Sequence, residues 1–275
     1  MEPLVLQQKN DSEQINILQI TDTHLFAQPK VRLLGLNTAD SFNAVVNSII
    51  RQNLKFDFIV HTGDVSQDYS PESYRYFASV IQKLGAKKIF FIPGNHDDGP
   101  LMYRMFGQLG IDTHRQVILG NWQFIFLNSE VYGVPHGWVQ REELNFLSAC
   151  VNAYPSHHAC VMLHHLPQLV HSDWLDTQTL HNQDEFMSYL HRLPQVKLVL
   201  CGHVHQEVDN VVNGVRFIAS PSTSIQFMPN SRDFALDLRG PGWRTLSLKP
   251  FGDLETKVYR LPDNSFVPDT RASGY

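Results

Sequence analysis

Cysteine is scarce: the chain has three in 275 residues, Cys150, Cys160 and Cys201. An odd number, spread this widely, excludes a disulfide framework and fits a reducing compartment. Charge is sparse too, at 18% with a formal net of −5. There is no block of either sign and no basic stripe, so nothing draws the chain to nucleic acid or an anionic membrane surface. No stretch approaches the about 18 uninterrupted apolar residues of a membrane span. The start, Met1-Glu2-Pro3-Leu4-Val5-Leu6, carries acid where a signal peptide carries positive charge, and its apolar run is short. The expectation is therefore a cytoplasmic protein with neither nucleic acid nor membrane as partner. Linkers rich in Gly, Ser or Pro are missing, as are internal repeats, so residues 1–275 are read as a single domain.

Histidine, by contrast, is abundant, with 14 against the three cysteines, which raises the weight of a nitrogen- and oxygen-ligand metal site. Apolar, β-rich runs over 15–21, 56–62, 88–92, 159–163 and 197–201 read as strands, and each runs into ligand-type side chains. Helical periodicity covers 39–52, 71–84, 140–154 and, more weakly, 184–191. This alternation predicts parallel βαβ units with ligands at the C-terminal strand ends. After Cys201 the pattern turns antiparallel: 207–212 and 215–219 flank Asn213-Gly214, a type I′ hairpin signal, and 244–248 and 254–260 alternate like further strands. The expected fold is α/β, two packed mixed β-sheets flanked by helices in an αββα sandwich.

Singly, each polar cluster has an ordinary reading. Asp22-x-His24 is a helix cap beside a surface histidine, Gly63-Asp64 a turn, and Gly94-Asn95-His96-Asp97 a loop of default turn residues. His203-x-His205 says more, because alternate positions of an extended segment put both imidazoles on one side. Zinc-finger spacing and HExxH are absent. Jointly, a parallel sheet gathers Asp22, His24, Asp64, Asn95, His164, His203 and His205. That is too many ligands for one metal, but it suits two ions sharing a bridge, for which Asp64 is the candidate. Carboxylate, amide-oxygen and imidazole together favour Fe²⁺, Mn²⁺, Zn²⁺ or Fe³⁺ over Mg²⁺ or Ca²⁺ alone.

In order, Asp22-x-His24, Gly63-Asp64-x-x-x-Asp68, Gly94-Asn95-His96-Asp97, His164-His165 and Gly202-His203-x-His205 resemble the calcineurin-like metallophosphoesterase superfamily. Within it the short spacing is similar to the class III cyclic-nucleotide phosphodiesterases. The bacterial 3′,5′-cyclic-AMP phosphodiesterases are the nearer likeness, through Leu18-Gln-Ile-Thr-Asp-Thr-His-Leu-Phe26, Val131-Tyr-Gly-Val-Pro-His-Gly137, Cys201-Gly-His-Val-His-Gln206, Pro241-Gly-Trp-Arg244 and Pro268-Asp-Thr. One departure is His164-His165-Leu166-Pro167, where many relatives have His-His-Pro-Pro. We take His164, first after the strand, as the ligand. Neighbouring strand residues face opposite ways, which leaves His165 a supporting role.

The resemblance implies hydrolysis of 3′,5′-cyclic AMP to 5′-AMP at two divalent ions, Fe²⁺ foremost, with Mn²⁺ or Zn²⁺ as alternatives. It implies one ion on Asp22, His24 and His205, the other on Asn95, His164 and His203, and Asp64 bridging. His96 would be the catalytic acid, or a donor to the transition state. His24, Asp64, Asn95, His96 and His205 would also meet substrate, with Asp68 and Asp97 behind the ligand loops or simply capping turns. His136 sits in a loop that could approach substrate. The seven remaining histidines, His61, His114, His157, His158, His171, His181 and His191, read as structural. Phe26, Tyr69, Trp138 and Trp174 are candidates to stack on a base, and no spacing selects among them. The competing expectations are a broad or glycerophosphodiester phosphodiesterase with the same site, and a non-catalytic cyclic-nucleotide or metal sensor.

Overall fold

The apolar runs become strands covered on both faces in the computed structural model, which describes residues 2–7 and 14–274. Strands β1 (Ile15–Ile20), β2 (Phe58–His61) and β3 (Ile89–Phe91) lie parallel, joined by α1 (Thr38–Gln52) and α2 (Pro71–Ile81). The caps follow the sequence: Asn37 Oδ1 accepts from Asp40 N at 2.9 Å, and Ser70 Oγ from Ser73 N at 3.2 Å ahead of Pro71. After α3 (Gly99–Gln108), a second sheet holds β4 (Gln116–Leu119) and β5 (Trp122–Phe126). Beyond α4 (Arg141–Ala153) come β6 (His158–Met162), α5 (Gln183–His191), β7 (Val196–Cys201), β8 (Val208–Val212) and β9 (Val215–Ala219). The chain then returns to the first sheet with β10 (Gly242–Leu248), antiparallel to β1, and β11 (Leu254–Arg260).

The sheet orders are β11-β10-β1-β2-β3 and, behind the short strand Leu4–Val5, β4-β5-β6-β7-β9-β8. Alternation decides which core each side chain joins. Ile17, Phe58, Phe90, Phe124, Cys160 and Leu198 fill the space between the sheets. Their neighbours Leu18, Ile59 and Phe91 face α1, α2 and α3, while Ile125, Val161 and Val199 face α4 and α5. Burial on both faces explains why these strands read as unbroken apolar runs rather than as polar–apolar alternation. The expected αββα layering is the observed one, and the Asn213-Gly214 hairpin has the expected turn, with φ of 50° and 81°.

Three points of the sequence reading need correction. Antiparallel pairing begins before Cys201: β4 and β5 form a tight hairpin through Gly120-Asn121, with Leu119 opposite Trp122. Gly-Asn between two apolar runs is itself a hairpin signal. Helix α3 is absent from the periodicity reading because it starts at Gly99-Pro100 directly after the polar loop, with Asp98 capping Leu101 N at 2.9 Å. The second predicted helix also stops at Ile81, and Gln82–Leu84 tighten into a 3₁₀ turn before Gly85.

Candidate metal centre

The polar clusters sit where β1, β2 and β3 of one sheet and β6 and β7 of the other run out, so the site spans the edge of the sandwich. Its backbone is unusual. Asp22, His24, Asp64, His203 and His205 have φ of 53°, 47°, 57°, 69° and 49°. Residues with side chains rarely occupy this left-handed region, and packing must hold them there. Glycines make the room: a Cβ on Gly94 would land on the Asp64 carboxylate, and one on Gly202 would strike Thr21 Oγ1.

All seven predicted ligands come together, each at most 7% exposed. Ligand atoms of Asp22, His24 and His205 lie within 4.8 Å of one another, as do those of Asp22, Asp64 and His164. His24 Nδ1 donates to Gln67 Oε1 at 2.6 Å and His205 Nδ1 to Ile225 O at 2.9 Å, which turns the Nε2 lone pair of each neutral ring into the cluster. Those two Nε2 atoms face each other at 3.0 Å, with Asp22 Oδ1 3.4 Å from the second. Two lone pairs and a carboxylate so close repel one another unless they share a cation. His164 repeats the pattern: Nδ1 donates to Thr62 O at 2.8 Å, and the buried Nε2, without a hydrogen-bond partner among the described residues, is 3.3 Å from Asp64 Oδ2. Asn95 Oδ1 is 3.1 Å from His203 Nδ1. This donor set, with the tautomers of His24, His164 and His205 fixed from behind, fits divalent metal.

The electrostatics agree. Burial holds the His24 imidazole well below its usual value and His203 at about 3, so both offer neutral nitrogens. Burial acts the same way on His164, but the carboxylates of Asp64 and Asp22 outweigh it and lift that imidazole to about 9. The pocket between these carboxylates is thus a place that favours positive charge. Burial would also raise Asp64, but the imidazoles around it, His164 first, hold it well below the usual carboxylate range.

Residues 15–207 match the calcineurin-like phosphoesterase family. The chain belongs to that family. A Vibrio vulnificus protein named 3′,5′-cyclic adenosine monophosphate phosphodiesterase CpdA is 45% identical over 262 residues, 95% of each chain. An Escherichia coli K12 protein of the same name is 44% identical over 276 residues, all of both chains. Among solved structures, a dimetal phosphatase from Danio rerio covers 90% of this chain and 99% of its own at a TM-score of 0.56 and 14% identity, a likeness of fold.

In this phosphoesterase chain two strand rules fail locally. His203 and His205 do not share one side of an extended segment: their left-handed backbones send His203 toward Asn95 and His205 toward Asp22 and His24. Nor do His164 and His165 face apart. Their rings meet edge-on at 4.9 Å, and both approach His203. Hydrogen bonding separates them instead, since His165 Nε2 donates to Pro135 O at 3.2 Å and Nδ1 lies 2.8 Å from Ser129 Oγ. His96 lies edge-on to His24 at 5.1 Å, and its backbone N donates to Asp64 Oδ1 at 2.8 Å. Asp97 ties two ligand loops together by accepting from Val65, Ser66 and Gly94 N, whereas Asp68 caps its own turn and accepts from Ala27 N. His136 stacks on His181 at 3.8 Å.

Sequence reasoning missed the supports. Gln67 holds His24, while Ser222 and Ser224 hydroxyls donate to Asp22 O at 2.7 and 3.1 Å. The only sequence signal was a Ser/Thr-rich run, 220–224, that is buried rather than a surface loop. Gln67→Ala frees the His24 ring, so metal affinity measured by competition with a chromogenic chelator should fall about 10- to 100-fold. An unchanged affinity would mean that Gln67 does not orient His24.

Proposed function

We propose that this chain hydrolyses 3′,5′-cyclic AMP to 5′-AMP at a two-metal centre. The observation that carries the reading is one buried cluster of cation-seeking ligands in a chain 44% identical, end to end, to a protein named for that activity. Asp22, His24 and His205 would hold one ion, Asn95, His164 and His203 the other, and Asp64 both. Mixed oxygen and imidazole donors suit Fe²⁺, with Mn²⁺ or Zn²⁺ as substitutes. When bound, such ions supply an acidified water as nucleophile and positive charge against the phosphoryl oxygens.

The chain's own residues do the rest. Asp64, pinned through Oδ1 by His96 N at 2.8 Å, keeps Oδ2 directed at the imidazoles. Water adds to phosphorus and the P–O3′ bond breaks. His96 passes a proton to the departing O3′, leaving the 5′ ester intact. Burial lowers the His96 imidazole from its ordinary value, so a proton held there is readily given up. Asp97 fixes the two loops that carry Asp64 and Asn95. All three cysteines are free and buried, in keeping with action in the cytoplasm.

Product analysis on 3′,5′-cyclic AMP, 2′,3′-cyclic AMP and a glycerophosphodiester tests the reading. It predicts 5′-AMP from the first, with kcat/KM well above the other two. Faster turnover of either of the others would overturn it and favour the broad phosphodiesterase.

A further inference from the structure

A cavity of about 450 Å³ opens beside the cluster, with Asn95 and His96 in its lining and Tyr69, Trp174, Gln178 and Phe234 around it. This is the size range of small-ligand sites. A cyclic nucleotide whose phosphate lies among the metal ligands has to direct the rest of itself into the adjoining space. The walls are aromatic and anchored to the site. Trp174 meets Phe227 edge-on at 4.9 Å and Phe234 at 5.0 Å, and Phe227 stacks on the His205 ring at 4.2 Å. Tyr69 OH donates to Asn95 O at 3.4 Å. Of the four aromatics that the sequence offered for base stacking, Tyr69 and Trp174 line this cavity; Phe26 packs on the core behind α4, and Trp138 is 41% exposed.

Gln178 is a polar member of this wall. It follows Trp174 by four residues around the helical turn Asp173–Asp176, and its backbone is fixed by donation to Leu175 O at 2.9 Å. Its carboxamide makes no hydrogen bond to any described residue, so donor and acceptor both stay available beside a flat aromatic surface. A carboxamide matches the adenine edge in two bonds, accepting from N6–H and donating to N7. Hypoxanthine presents two acceptors there, O6 and N7, and satisfies only the donor.

We propose that this cavity is a purine subsite in which Trp174 stacks on the base and Gln178 reads the 6-amino edge of adenine. It rests on the reading of the chain as a cyclic-AMP phosphodiesterase and assigns the residues that select the base.

The test is kcat/KM on 3′,5′-cyclic AMP, 3′,5′-cyclic IMP and the base-free bis(p-nitrophenyl) phosphate, for wild type, Gln178→Ala, Gln178→Glu and Trp174→Ala. Wild type should prefer cyclic AMP over cyclic IMP by about tenfold or more, the worth of a bidentate pair. Gln178→Ala should lose that preference, whereas Gln178→Glu should keep it, since a carboxylate still accepts from N6–H and meets only acceptors on hypoxanthine; in both variants cyclic AMP should fall about tenfold further than the base-free ester. Gln178→Glu keeps the length and the acceptor but has no N–H to give N7, so it separates recognition from packing. Trp174→Ala should raise KM for both nucleotides together. An unchanged ratio in Gln178→Ala, or an equal loss on all three substrates in either Gln178 variant, would overturn the assignment. Wild type that cleaves the base-free ester but not cyclic AMP would instead overturn the cyclic-AMP reading beneath it and favour the broad phosphodiesterase.

Discussion

Asp64→Asn should lose metal and turnover together, with kcat/KM on cyclic AMP down by more than about a hundredfold. Losing a residue behind a ligand typically costs 10- to 100-fold, and Asp64 is directed at both halves of the cluster. Its Oδ2 is 3.3 Å from His164 Nε2 and 3.7 Å from His24 Nε2, while Oδ1 accepts from His96 N. Asparagine keeps the shape and one acceptor. It removes the negative charge on which a shared pair of cations depends and turns an N–H₂ toward the imidazoles or toward His96 N. Metal content by elemental analysis, measured beside kcat, checks this. A variant holding two ions at full rate would remove Asp64 from the bridging role.

His96→Ala should separate the two quantities that Asp64→Asn loses together. Removing a positioned proton donor costs about 10²- to 10⁴-fold in rate, so kcat should fall by that order with metal content intact. The geometry makes this a demanding test. Ligand-type atoms of His24, Asp64 and His96 also lie within 4.8 Å of one another, an arrangement that could itself hold an ion. Metal loss equal to that of Asp64→Asn would identify His96 as a ligand. Retained metal with a large rate loss would leave proton transfer as its work.

These residues could be picked from the sequence because each follows an apolar strand buried on both faces, a strong signal, and because parallel strands align their C-terminal ends. The layering was legible for the same reason. What the sequence hid was local backbone. Left-handed conformations at His203 and His205 break the strand alternation that was used to place those two together, and His164 and His165 lie beyond the strand end at Met162, where alternation no longer applies. The left-handed conformations of the site are enforced by contacts far away in sequence, such as Ser222 on Asp22 O and Asp22 Oδ1 on His203 N. No periodicity encodes them. The roles of His164 and His165 likewise turn on Thr62 O, Ser129 and Pro135 O, partners that only the fold brings near.

The central claim is that the buried imidazoles and carboxylates hold two divalent ions and that hydrolysis of cyclic AMP depends on them. The direct measurement is turnover of 3′,5′-cyclic AMP by chelator-stripped protein titrated with Fe²⁺ or Mn²⁺ under anaerobic conditions, with bound metal counted in the same samples. The stripped protein should be inert, and formation of 5′-AMP should rise to a plateau at two ions per chain. Full activity in protein stripped of metal, or two bound ions with cyclic AMP left intact, would contradict it.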